Sequence, residues 1–186
     1  RERRSRMKRF ALSVVILGVL ALIVLPGCKF MSNKELRSSI EVLDFESKWV
    51  STFYQGWPMR LKLAPQISFR VKNLSVKPIN YVNFITNFVS KADQKNLGSG
   101  LLAAIRGKAL APGELSNKIT MTCDVSVEGK NKKDFETNPG WESYQVKLFA
   151  QSKGSQPVLL GIFDVSRDID FKEDEPVGPK PGEVKK

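Results

Sequence analysis

The sequence predicts an all-β protein, a single antiparallel β-sandwich behind an N-terminal signal or anchor helix. Three observations predict it. Short runs between residues 40 and 171 alternate apolar and polar residues, the period of a strand with one face buried and one face wet. Clusters of Gly, Pro, Asn and Ser punctuate these runs, as turns do. Ahead of them lies one long uncharged stretch, Phe10–Leu25, reading FALSVVILGVLALIVL.

The N-terminus comes first. Residues 1–27 hold six basic residues (Arg1, Arg3, Arg4, Arg6, Lys8, Arg9) against Glu2, which is +5 of the net +11. A basic region followed by an apolar one is the pattern of an export signal, and the flanking positive charge holds the N-terminus on the cytoplasmic side. About 20 apolar residues are needed to span a bilayer, and Phe10–Leu25 falls short of that. An uncleaved transmembrane anchor is the competing reading. Met7 opens a more ordinary signal than Arg1 does, and residues 1–6 receive no function.

The apolar run closes on Leu25-Pro26-Gly27-Cys28. This resembles the lipobox of bacterial lipoproteins: Leu three residues before the Cys, and a small residue just before it. Pro26 stands where that pattern usually has a small or β-branched residue. The resemblance covers residues 7–28. It implies that Cys28 is lipidated through its thiol and becomes the first residue of the mature chain, with 1–27 removed as signal peptide. It also implies a membrane partner held through that lipid. One acyl chain binds a bilayer only marginally, so stable attachment needs two or more. Lys29 follows the Cys, with no Asp there. That resembles lipoproteins released to the outer membrane, facing the periplasm, rather than those kept at the inner one.

Residues 28–39 then read as the lipidated Cys and a polar tether, residues 40–171 as the folded domain, and residues 172–186 as a disordered tail. The tail, KEDEPVGPKPGEVKK, is rich in Pro and Gly and has nothing to bury. A domain of about 130 residues can bury roughly two-thirds of its unfolded surface, so it needs neither disulfide nor metal.

Within the domain, Ile40–Thr52 reads as an opening strand, with a short helix as the alternative. Ile67, Phe69 and Val71 alternate with polar neighbours in Gln66–Lys72. Tyr81–Val89, Tyr144–Gln151 and Val158–Ser166 read as further strands. Leu115–Val127 is the clearest of all, with Cys123 on its apolar face as a small core hydrophobe. Leu101–Lys108 fits either helix or strand. Stacking two sheets hides all these apolar faces.

The segment Pro65-Gln-Ile-Ser-Phe-Arg-Val-Lys-Asn73-Leu-Ser-Val-Lys-Pro78, with the later Leu110-Ala-Pro112-Gly113-Glu-Leu-Ser116, resembles the opening of small immunoglobulin-like sandwiches of the FxLYD and late-embryogenesis-abundant type 2 families. The FxLYD signature itself is absent. The resemblance implies an immunoglobulin-like sandwich and no enzymatic activity.

Composition excludes several chemistries. The chain has 186 residues, no His and two Cys. A Ser-His-Asp triad is therefore impossible, and so is a four-cysteine zinc site. Gly98-Ser-Gly100 lacks the Gly-Lys-Ser/Thr of a phosphate loop. No catalytic residue, metal site or cofactor is expected. After the signal region, Lys130, Lys132 and Lys133 form the densest basic cluster, read as a solvated turn. An exported chain with scattered lysines points to no nucleic acid, and anionic headgroups or wall polymers suit such charge better.

The expected role is therefore a non-catalytic binding or assembly module in the cell envelope, with an envelope protein as partner. The most suggestive contact residues are Trp49, Phe53, Tyr54 and Trp57, four large rings in nine residues. Aromatics of this kind dominate interface hot spots, although the same rings could fill the core. Two alternatives belong to other classes. One is a metal-assisted hydrolase using Asp164, Asp168 or Asp170, of which the last two share a strand face. The other is a carrier of an apolar ligand between the sheets.

Overall fold

A computed structural model describes residues 31–138 and 141–171. Cys28, the signal segment 1–27 and the tail 172–186 lie outside the described residues.

The described chain is a two-sheet β-sandwich. After helix α1 (Asn33–Ser39) come β1 (Ile40–Gln55), β2 (Arg60–Asn73), β3 (Val82–Ser90) and β4 (Asn96–Ile105). They are followed by β5 (Ile119–Thr122), β6 (Val127–Gly129), the single turn α2 (Asp134–Thr137), β7 (Tyr144–Gln151), β8 (Val158–Asp164) and β9 (Ile169–Asp170). One sheet has the order β5-β2-β1-β9, with β6 pairing β2 beyond β5. The other has the order β4-β3-β7-β8. Neighbours are antiparallel except β1 and β9, which run parallel through Trp49↔Ile169 and Val50↔Asp170.

Alternation places the core. In β2, Ile67, Phe69 and Val71 are fully buried, and in β7 so are Val146, Leu148 and Ala150. Phe69 of one sheet meets Phe84 of the other edge-on, with ring centroids 5.3 Å apart, a favoured aromatic geometry. Trp49, Phe88 and Phe135 are also buried. The space between the sheets is thus filled by side chains.

Three expectations change and one open choice is decided. The tether expected over 28–39 is helical from Asn33. Ser32 accepts the Glu35 N–H as N-cap at 3.3 Å, the first half of a capping box, and Leu36 is fully buried. β1 extends past Thr52 to Gln55 and β2 begins at Arg60 rather than Gln66, so the two form one long hairpin. Leu101–Lys108, open to either reading, is strand as far as Ile105. Leu115–Val127 is not one strand. Asp124 breaks it by crossing to the other sheet, where its N–H donates to the Ser99 carbonyl at 2.9 Å and its Oδ1 accepts the Ser99 N–H at 2.7 Å. A short carboxylate competing for main-chain donors commonly ends a ladder in this way.

Cys123 is buried, 5% exposed. Its burial pushes the thiol up to about 11.

Candidate functional site

The aromatic segment lies on the β1–β2 hairpin, and the ladder sorts its four rings. Trp49 faces inward. It is 1% exposed, sits edge-on to Trp141 with centroids 6.1 Å apart, and lies 5.8 Å from the Tyr144 ring. Two residues on, Ser51 pairs with Leu63, but the next pair is Phe53↔Lys62. Thr52 is the extra residue of a bulge, and a one-residue insertion exchanges the faces of everything beyond it. Tyr54 therefore turns inward opposite buried Leu61 and packs on Phe171, with centroids 5.1 Å apart. Phe53 turns outward and is 43% exposed.

Beyond the ladder, Gln55 Nε2 donates to the Trp57 carbonyl at 2.8 Å and braces the turn. Trp57 precedes a cis proline, Pro58, and its indole is 89% exposed. Met59 is exposed beside it. The Arg60 guanidinium lies 5.9 Å from the Phe53 ring centre and donates to Glu128 at 2.8 Å. That bond holds the Glu128 carboxyl below its ordinary range, with the charges of Arg60 and Lys62 adding to it. The hairpin end is thus an apolar tip of Phe53, Trp57 and Met59 with an oriented cation at its base. Of the four expected contact residues, Trp49 belongs to the core and Tyr54 is half-buried, while Phe53 and Trp57 are presented to solvent. Met59 and Arg60 complete the patch. No alternation marks them in the sequence, where the pattern begins only at Gln66.

The three carboxylates expected of a hydrolase do not share one site: Asp168 and Asp170 line a common depression, and Asp164 is not part of its lining. Asp164 ends β8 and pairs with Lys91 at 3.0 Å. Asp168 accepts the Ser166 hydroxyl at 2.6 Å. Asp170 pairs with Lys48 at 2.5 Å. Asp168, Asp170 and Glu46 line an open depression of about 620 Å³ on the outer face of β1. Glu46 is bonded to Lys118 there, and that hydrogen bond lowers its carboxyl below the ordinary range. Glu46 and Asp170 are thus held in solvated ion pairs, worth little each, while Asp168 accepts the Ser166 hydroxyl. Among the described residues no three His, Cys, Asp or Glu side chains stand together as a metal site.

The basic cluster is a turn. Lys130 N–H donates to Asp134 Oδ2 at 2.8 Å and Lys133 N–H to Asn131 Oδ1 at 2.9 Å, so these residues shape the lead into α2. A second depression, of about 360 Å³, lies between β4 and the stretch leading into β5, lined by Leu102, Ala104, Ile105 and Ser116 among others.

Among known proteins, no family model and no curated protein matches the chain. Two solved structures are similar to it at 11% identity. One is an ApaA protein from Bordetella pertussis, covering 69% of this chain and 93% of its own at a TM-score of 0.38. The other is a structural-genomics target designated SoR45, covering 75% of this chain and 97% of its own at a TM-score of 0.42. Both fall below the level at which a common fold follows.

Proposed function

We propose that the chain is a bacterial lipoprotein, tied to a membrane through lipid on Cys28, whose sandwich is a non-catalytic binding or assembly module of the cell envelope. The observation that carries this reading is the basic, apolar and Leu25-Pro26-Gly27-Cys28 succession at the N-terminus. Export followed by thioether lipidation would give a mature chain beginning at Cys28. The lipid would hold the domain at the surface of the outer membrane, facing the periplasm.

The binding role is supported by the hairpin tip. An indole 89% exposed at the end of an ordered hairpin contributes nothing to the core. Burying it against a partner returns the apolar area it now leaves in water, at about 25 cal/mol per Å². The partner is an envelope protein with an apolar recess for an indole and acidic groups facing Arg60. The filled space between the sheets favours this over a carrier of an apolar ligand. The lysine pairs of Asp164 and Asp170 favour it over a hydrolase.

The test is metabolic labelling with a clickable palmitate analogue in a two-membrane bacterium expressing the full chain. Wild type incorporates label and partitions with membranes, and Cys28→Ser does neither and retains residues 1–27. Unlabelled wild type, or a Cys28→Ser form that matures and partitions unchanged, overturns the anchor. Loss of partner recovery on Trp57→Ala with labelling intact tests the binding role by itself.

A further inference from the structure

The chain enters the sandwich at one end, and the aromatic tip lies at the other. Met31 packs against the core, and its carbonyl accepts the Ser152 hydroxyl at 3.4 Å. Helix α1 follows with Leu36 buried, and β1 then runs away from it to the tip. Three turns gather beside α1 at this entry end. The turn after β2 is tied to the helix through the Leu74 N–H, which donates to the Ser39 carbonyl at 2.8 Å. The turn after β4 is tied to the one after β2 by the Ile79↔Leu110 bridge. The β7–β8 turn holds Ser152 itself.

Positive charge collects here. Lys34, Arg37, Lys77, Arg106, Lys108 and Lys153 stand at the entry end against Glu35 and Glu114, a balance of +4. Residues 31–171 hold 19 Lys and Arg against 14 Asp and Glu, so this end carries four of their five surplus charges. Glu35 is paired with Lys77 and Glu114 with Lys108. Lys34, Arg106 and Lys153 are exposed and take part in no ion pair among the described residues. Apolar side chains stand among these charges. Leu74 is 53% exposed and Val76 90%, on the turn that the buried Asn73 amide braces through Ser75 and Lys77. A valine held in water by an ordered turn does nothing for the core.

Chain length decides what faces this end. Cys28 lies three residues ahead of Met31, and three residues reach about 11 Å at most. A lipid on Cys28 therefore leaves the entry end almost touching the bilayer. Attraction between Lys or Arg and an anionic surface fades over a Debye length of about 8–10 Å, so cations held this close feel it. Apolar side chains flanked by such cations are what settles into the headgroup boundary.

We propose that the entry end of the sandwich rests on anionic phospholipid, with Val76 and Leu74 entering the headgroup layer and Lys34, Arg106 and Lys153 meeting lipid phosphates. The contact presupposes the membrane attachment proposed above. It gives the domain a second hold on the bilayer beside the lipid, and it points Phe53 and Trp57 away from the surface that carries them.

The full chain reconstituted in unilamellar vesicles tests this, with a nitrobenzoxadiazole probe on Val76→Cys or on Gly56→Cys at the tip, where nothing lies within 4 Å of a Cβ. The vesicles are phosphatidylethanolamine with about a quarter phosphatidylglycerol and a trace of lipid spin-labelled at its headgroup. The spin label quenches the probe at 76 at least about threefold more than the probe at 56. Arg106→Glu with Lys153→Glu brings the entry end to neutrality. With that double variant, or in phosphatidylcholine vesicles, quenching at 76 falls by about half or more, while the circular dichroism spectrum is unchanged. Wild type treated with the probe in parallel reports any unlipidated Cys28 thiol, so a failed anchor and a failed contact read differently. Equal quenching at 76 and 56 overturns the proposal, as does quenching at 76 indifferent to lipid charge and to the double variant. So does none at 76, the result expected if a protein or a second copy covers this end.

Discussion

Asn73 holds Ser75 by two hydrogen bonds to its Oδ1, from the Ser75 N–H at 2.9 Å and from the Ser75 hydroxyl at 2.8 Å. Its Nδ2 donates to the carbonyls of Lys77 and Leu110 at 2.8 and 2.9 Å. A fully buried amide thus ends β2, folds the following turn and ties it to the distant Leu110 segment. Nearly all its hydrogen-bonding capacity is used, the condition under which burying an amide is tolerable.

Removing that amide unties the turn from the Leu110 segment. Asn73→Ala takes one of two donors from each carbonyl, since Lys77 O keeps the Ser75 hydroxyl and Leu110 O the Ile79 N–H, and it removes the acceptor of the turn, so four hydrogen bonds worth about 0.5–1.5 kcal/mol each are lost. The expected loss is about 3 kcal/mol, read as a lower denaturant midpoint. Ser75→Ala, at a more exposed site, loses about 1 kcal/mol.

The two outer members of the aromatic segment should part company. Trp49→Ala empties the core beside Trp141 and Tyr144 and lowers stability by about 3–5 kcal/mol. Trp57→Ala stays within about 0.5 kcal/mol of wild type. Under the proposed binding role the ranking inverts for partner recovery, where Trp57→Ala reduces recovery from crosslinked envelope extracts about fivefold or more. Chemical denaturation and quantitative pull-down on the same two proteins check both halves.

Gly98 and Gly56 make a second pair. A Cβ at Gly98 would meet Asp124 Oδ1 at 2.5 Å and Cys123 Sγ at 2.6 Å, whereas nothing lies within 4 Å of one at Gly56. Gly98→Ala must displace Asp124 from Ser99 and is expected to lose about 1–3 kcal/mol. Gly56→Ala leaves stability unchanged or slightly raised. Thermal melts of the two variants distinguish these outcomes.

Cys123 gives a pH signature. Its thiol is raised from an ordinary 9.0 to about 11, first by burial and then by the charge of Asp124. The unfolded state therefore ionises first as pH climbs. The thiol's contribution to stability is intact below about pH 9 and disappears between about 9 and 11. Wild type should lose denaturant midpoint more steeply across that window than Cys123→Ala does. A thiol reagent at pH 8 should label Cys123 only after denaturant is added.

Much of this architecture was legible in the residues. The clean alternations in Gln66–Lys72 and Tyr144–Gln151 became strands because period two with one apolar face has few other ways to bury itself. Asn73 already stood out at a strand end. What escaped was local chemistry overriding pattern. Ser32-Asn-Lys-Glu35 carries a capping-box spacing, but a seven-residue helix with one buried Leu shows too little periodicity to stand out from a tether. Asp124 interrupts an alternation that ignores side-chain bonds. In the hairpin, the Thr52 bulge decides which rings reach solvent, and no pattern announces one extra residue in a ladder. Phe53 and Trp57 were therefore visible as candidates, while Trp49 could be assigned to the interior only once the register was known.

The length of β1 has a mechanical consequence. Sixteen residues run from Ile40, just after α1, to Gln55, next to the aromatic tip, a span of about 50 Å at strand rise. For a chain held at its start and gripped at Trp57, tension would travel along the covalent backbone of this single strand. Such a pull loads peptide bonds rather than peeling one sheet from the other.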